Sequence, residues 1–135
     1  MGLDQYAFSS PDELTVVKDD DGHFAIKGIH GEEFYWRKHA KLQAFFEDAV
    51  ESGRLKPLVD GSFNCNPIKL DLPIVEQLYI ALVKNELPGS DGGFFYGHQY
   101  QDESCEEYRE QDIKFCAWAK ETMEQGDHVY YDCWW

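Results

Sequence analysis

Apolar and polar positions alternate most clearly in the last eight residues, His128 to Trp135. Val129, Tyr131, Cys133 and Trp135 fall on one side of an extended chain, Tyr130, Asp132 and Trp134 on the other. Aromatic residues on both sides predict an interior strand covered on two faces, with Asp132 its one acidic residue. A terminus of this kind is either core or binding surface, because chain ends without such a role fray and carry polar residues.

The rest of the chain divides by the same test. Gly2 to Phe8 reads as a strand, ended by Pro11-Asp12, and Leu14 to Val17 as a short β-prone run. Asp19-Asp20-Asp21-Gly22 is a turn signal, and His23 to His30 closes a hairpin. Tyr35, His39, Leu42, Phe46 and Ala49 then recur at helical spacing, widened by Phe45 and Val50 and stopped by Gly53. Phe63-Asn64-Cys65 predicts a short strand. Asp71 and Pro73 open a helix with Val75, Leu78, Tyr79 and Leu82 as its buried stripe, ended by Leu87-Pro88-Gly89. Ser104-Cys105-Glu106-Glu107 is a capping box, so a third helix is expected to begin there. Tyr108, Phe115, Cys116, Ala119 and Met123 face its core side, and Gly126 closes it before the final strand. The order ββ(β)-α-β-α-β-α-β predicts one α+β domain over residues 1–135, a mixed or mainly antiparallel sheet with about three helices packed on it.

Charge narrows the class of partner. The formal charge is −14, and residues 102–132 hold ten acidic and three basic side chains, a net of −7. Such a chain repels nucleic acid and anionic membranes; it favours basic partners, either the groove of a nucleic-acid-binding protein or a cationic ligand, or it serves solubility alone. No apolar run approaches the ~20 residues that span a bilayer, and no basic leader with an apolar segment opens the chain, so a cytosolic location is expected. Cys65, Cys105, Cys116 and Cys133 include no CxxC pair, and the reading is reduced, packed thiols with no structural metal and no cofactor.

Several segments carry candidate chemistry. Tyr35-Trp36-Arg37-Lys38-His39-Ala40-Lys41 places cations where a helix would begin, against the macrodipole. Arg37 there suits a carboxylate or phosphate, with Trp36 as a stacking platform. The competing reading has Tyr35 and His39 in the core and the cations paired with nearby acids. Glu103, Glu106, Glu107 and Glu110 share one face of the third helix, a solvated face or a carboxylate row complementary to a basic groove. Gly89 to Gly97 is rich in glycine but lacks the Gly-Lys-Ser/Thr of a phosphate loop and carries Asp91. No local signature joins Cys65 or Cys133 to His30, His39 or His98 as a nucleophile and base, and no catalytic residue is assigned.

The opening Met1-Gly2-Leu3-Asp4, Tyr35-Trp36-Arg37-Lys38-His39, Phe63-Asn64-Cys65, Gly93-Phe94-Phe95-Tyr96-Gly97 and the closing Tyr130-Tyr131-Asp132-Cys133-Trp134-Trp135 together resemble a group of small, uncharacterised proteins of tailed bacteriophages, from end to end of the chain. In that group a serine often stands at the position of Cys133, which implies that no nucleophilic thiol is needed there. The group has no established activity to carry over, and a kinase label does not suit a short, acidic chain without a phosphate loop. The resemblance implies an accessory protein made inside an infected bacterium.

Three functions follow as expectations. The first is a non-enzymatic protein that binds, and can inhibit, a host protein, with a host or phage protein of basic surface as the partner and a nucleic-acid-binding one among the candidates, steered by the acidic helix and anchored by Trp36 and Trp134. The second is a small-molecule-binding protein or enzyme whose pocket joins Tyr35, Trp36, Arg37, Lys38 and His39 to Tyr131 and Asp132. The third is a structural or virion-associated domain whose aromatic residues are all core.

Overall fold

The computed structural model describes residues 3–18, 24–27, 33–59, 66–87 and 101–134. In chain order its elements are β1 (Asp4–Ser10), β2 (Thr15–Lys18), β3 (Phe24–Lys27), β4 (Phe34–Arg37), α1 (Ala40–Glu51), β5 (Ile68–Lys69), α2 (Leu72–Val83), α3 (Gln101–Glu124) and β6 (His128–Trp134). The fold is α+β, and the described residues form three helices and a four-stranded antiparallel sheet ordered β4-β1-β6-β5. β2 and β3 pair as a separate two-stranded sheet. The turn expected at Asp19 to Gly22, the strand expected at Phe63 to Cys65 and the glycine-rich segment lie outside the described residues. No described helix is long and apolar enough to cross a membrane.

Period-two alternation sets the two faces of the sheet. Cross-strand partners in the registers Phe34-Ala7-Tyr131-Ile68 and Trp36-Gln5-Cys133 point toward the helices. The registers Arg37-Asp4-Trp134, Tyr35-Tyr6-Asp132 and Phe8-Tyr130-Lys69 point away. β6 pairs with β1 along its whole length and with β5 at Tyr130 and Tyr131, so it is an interior strand there, but the cover expected on both faces stops short of Trp134, which is exposed on the outer face. Tyr131 stacks on Phe46 of α1 with ring centroids 4.1 Å apart, and Trp36 meets Phe115 of α3 edge-on at 5.2 Å. The helix-side core is completed by Leu42, Ile68, Ile74, Leu78 and Leu82. The outer face has a smaller cluster of its own, Phe8, Leu14 and Tyr130, where the Leu14 N–H donates to the Tyr130 hydroxyl.

Three helix boundaries differ from the sequence reading. The segment Phe34–Arg37 is a strand, and α1 starts only at Ala40. The helical spacing of Tyr35 to His39 is coincidental: Tyr35 is exposed, whereas His39, Leu42, Phe46 and Ala49 are buried. An alternating aromatic tetrapeptide pairs with β1, and the chain turns out of it at Lys38, whose φ of 57° breaks strand and helix alike. In α2 the buried residues are Ile74, Val75, Leu78 and Leu82, and Tyr79 faces outward. That helix ends at Val83, with Asn85 left-handed at φ 56°, before the Leu87-Pro88-Gly89 stop. α3 begins at Gln101, ahead of Ser104, because Gln101-Asp102-Glu103 contains no residue that breaks a helix.

Asp71 caps α2 as expected: its side chain accepts from the Ile74 N–H at 2.8 Å, with Pro73 in the first turn. Asp71→Ala is therefore expected to cost about 1 kcal/mol, measured as a lower urea midpoint at unchanged m-value.

Candidate functional site

The strongest concentration of polar chemistry lies inside the molecule, between the sheet and the helices. The side chains of His39 and Asp112 are both 0% exposed, and His39 Nε2 donates to Asp112 Oδ2 at 2.6 Å. The other carboxylate oxygen accepts from the Trp36 indole N–H at 2.7 Å. Both donors come from the β4–α1 junction, so one carboxylate on α3 holds that junction from beneath. Tyr108, one turn before Asp112, stacks on the His39 ring at 5.4 Å, and its hydroxyl accepts from the Arg37 N–H. Among the described residues His39 Nδ1 has no hydrogen-bond partner.

A second chain of bonds joins this junction to the last strand. The Gln5 side chain clamps the His39 backbone, accepting from its N–H at 2.8 Å and donating to its C=O at 3.1 Å. Gln5 Nε2 also donates to the Tyr131 hydroxyl at 2.8 Å, which donates in turn to Gln43 Oε1 at 2.6 Å. Gln43 Nε2 reaches Cys133 Sγ at 3.3 Å. Burial raises the Tyr131 hydroxyl well above its ordinary range. Burial, with the Asp112 carboxylate one turn away, pushes the Cys116 thiol up to about 12. Neither group is poised for proton transfer or attack near neutral pH.

The proposed small-molecule pocket is divided by the sheet. Trp36, His39 and Tyr131 are sealed on the helix side at 0% exposure, whereas Tyr35, Arg37, Asp132 and Trp134 share the outer face. Convergence in sequence cannot overcome alternation: neighbours along a strand point to opposite sides. Lys38 sits at the turn between strand and helix. Arg37 Nη1 pairs with Asp4 at 2.9 Å, and the Tyr35 hydroxyl donates to the same oxygen at 2.5 Å. The bond to Asp4 raises the Tyr35 hydroxyl above its usual range, and the bond to Tyr35 raises the Arg37 guanidinium. Arg37 thus serves its own sheet, and two carboxylates, Asp4 and Asp132, share that face. Trp36 is wholly buried and so is a core residue, while Trp134 is 59% exposed.

The acidic helix keeps its carboxylates in solvent. Glu103, Glu106, Glu107 and Glu110 are all exposed on the side of α3 opposite Asp112. Glu107 and Glu110 also line an open cleft of about 560 Å³ between α3 and the edge strand β4, with Glu33, Phe34, Tyr35, Gln111 and Lys114. Gln111 donates to the Tyr35 C=O at 2.7 Å, and Tyr108 receives the Arg37 N–H at 3.1 Å. Side chains of α3 thereby satisfy two outward backbone groups of β4 and shield that part of the edge from strand addition.

Asp112, Gln5 and Gln43 were missed as functional positions by the sequence reading, yet each left a signal. Asp112 lies in register with Tyr108, Phe115, Cys116 and Ala119, Gln5 between Leu3 and Ala7, and Gln43 beside Leu42 and Phe46. Each is a polar residue at an inward position. Cys105, Cys116 and Cys133 are buried, and Cys65, His30 and His98 lie outside the described residues. Among the described residues no group of three or more His, Cys, Asp or Glu is arranged to hold a metal.

Comparison with protein-family models, curated proteins and solved structures found no match to this chain. The functional reading therefore rests on the residues themselves.

Two stability outcomes follow. Asp112→Ala leaves two buried N–H donors without their acceptor and is expected to cost about 3–5 kcal/mol by urea unfolding, with Asp112→Asn retaining part of it. Burial raises the Asp132 carboxyl above its ordinary value, against the Cys133 N–H that lowers it. Such a group holds its proton longer when folded, so its contribution to stability falls as pH rises from the unfolded pKa through the raised one. Asp132→Asn is expected to be more stable than the parent at pH 7, with the gain vanishing below the ordinary Asp pKa of about 3.9; a gain independent of pH would refute this cause.

Proposed function

We propose that this chain is a non-enzymatic accessory protein, encoded by a tailed bacteriophage, that binds and inhibits a host protein with a basic surface in the cytoplasm of the infected cell. It takes no cofactor and does not contact nucleic acid directly. The observation that carries the reading is the exposed carboxylate ridge of α3 running beside a carboxylate-lined cleft. Glu33, Glu107 and Glu110 stand there next to Tyr35, which offers a lysine or arginine both charge and an aromatic face. The phage origin rests on the end-to-end resemblance of the Tyr35–His39 segment and the aromatic C-terminus.

Catalysis is not favoured by the geometry. The His39–Asp112 pair has the composition of a base and its orienting acid, but both side chains are sealed from solvent. A substrate cannot reach them without opening the core.

The test is capture on the tagged chain from nuclease-treated bacterial lysate at about 50 and 500 mM salt, read by mass spectrometry. A basic protein in stoichiometric amount, released at high salt, is the expected result. Substituting Glu103→Gln, Glu106→Gln, Glu107→Gln and Glu110→Gln together is expected to lower capture at low salt by roughly tenfold or more. Equal capture by this variant at both salt concentrations would overturn the reading.

A further inference from the structure

The cations that the sequence sets against a helix macrodipole are only partly used by the sheet. Arg37 pairs with Asp4, but Lys41 occupies the second position of α1, at the positive end of that helix. The first turn holds no acidic residue, and the N-cap residue His39 makes no side-chain bond to it. The first bond within the helix runs from the Gln43 N–H to the His39 C=O at 3.1 Å. The N–H groups of Ala40, Lys41 and Leu42 therefore have no carbonyl of their own helix to meet. Ala40 and Leu42 are wholly buried. A lysine at such an end opposes the dipole unless an anion joins it.

Lys41 lines a cleft of about 530 Å³ with Cys105, Glu106 and Arg109 of α3 and with Asn85, which follows α2. Its charge differs from that of the other clefts. The groove between α2 and α3 balances Lys120 with Glu76, and the cleft beside β4 sets Glu33, Glu107 and Glu110 against Lys114. Here two cations face one carboxylate, in a chain that carries −14 overall. Among the described residues Arg109 donates only to the Val83 C=O, and that contact is long at 3.5 Å. His39 Nδ1 adds an independent sign of a ligand. It is wholly buried and has no hydrogen-bond partner among the described residues, whereas buried polar atoms are ordinarily bonded. It is the ring nitrogen nearer the backbone, so it stands at the N-cap of α1. The ring stacks on Tyr108, which lies between the cleft residues Cys105 and Arg109 along α3.

We propose that this cleft binds a phosphate group, free or carried on a small molecule, at the start of α1. Lys41 and Arg109 supply charge and donors, the first-turn N–H groups supply further donors, and His39 Nδ1 borders the site from within. Glu106 selects among anions. Its carboxylate repels a fully ionised oxyanion such as sulfate, whereas a phosphate that keeps a P–O–H donates to it. The inference does not rest on the protein-binding reading, in which neither Lys41 nor Arg109 takes part.

The experiment is an NMR titration of the full, nitrogen-15-labelled chain at about pH 6.5, where a phosphate group still holds a proton, with sodium chloride keeping the ionic strength constant. The probes are inorganic phosphate, phenyl phosphate and sulfate. Saturable shifts of the Ala40, Lys41 and Leu42 amides and of the His39 imidazole are expected with phosphate. Sulfate is expected to bind more weakly by roughly tenfold or more. Lys41→Gln and Arg109→Gln, at half-buried positions, are each expected to weaken phosphate by roughly tenfold or more at an unchanged melting temperature. Glu106→Gln is expected to bring sulfate up to the level of phosphate. Tighter binding of phenyl phosphate than of the free ion assigns a phosphate monoester, and the reverse assigns inorganic phosphate. No saturation by about 20 mM of either phosphate overturns the site. Equal affinity of the parent, Lys41→Gln and Arg109→Gln also overturns it, as does equal binding of sulfate and phosphate by the parent.

Discussion

The Asp112 carboxylate is the interaction on which the rest of the structure depends. It accepts from Trp36 and His39, two residues that flank the left-handed turn at Lys38. Without it, two buried N–H groups in an apolar core would have no acceptor, a cost comparable to a large fraction of a domain's net stability. The carboxylate therefore decides how α3 crosses the β4–α1 junction. Gln5 reinforces the junction from the sheet by clamping the His39 backbone, and through Tyr131 it ties in Gln43 and the C-terminal strand. A network this extended specifies one arrangement of sheet and helices, because any slip of register leaves several polar groups unpaired at once.

That arrangement separates chemistry from access. Among the described residues those best suited to proton transfer, His39 and Asp112, are locked into structure, and Cys105, Cys116 and Cys133 are buried with them. The described surface includes a carboxylate ridge on α3, a paired Asp4–Arg37–Tyr35 cluster and an exposed apolar strip on α2. These are the materials of recognition: steering by charge and anchoring by exposed aliphatic and aromatic groups. α3 serves all three regions. Its inner side closes the core, one flank guards the β4 edge through Tyr108 and Gln111, and the other flank walls the groove with α2.

Much of the fold was legible in the sequence. The α+β class, the helix cap at Asp71, the glycine stop at Gly53 and the interior character of the C-terminal strand follow from local rules. A strand alternates with period two, a helix repeats near 3.6, and cap chemistry depends on a few adjacent residues. The misread segment, Tyr35 to His39, satisfies both periods over its short length. Only pairing with β1 decides between them, and that partner is some thirty residues away.

The candidate site shows the same division more sharply. The sequence by itself determined that the chain is strongly acidic, that the third helix carries a row of glutamates and that His39 falls on an apolar stripe, whereas Gln5, Gln43 and Asp112 are inward positions that the structure supplied. Only the tertiary structure decided that those four inward residues belong to one network. It also decided that Trp36, His39 and Tyr131 lie across the sheet from Tyr35, Arg37, Asp132 and Trp134. The reason is physical. Composition and periodicity act along the chain and fix which way a side chain faces, whereas a hydrogen bond across more than seventy residues, such as His39 to Asp112, exists only once packing has chosen which faces meet.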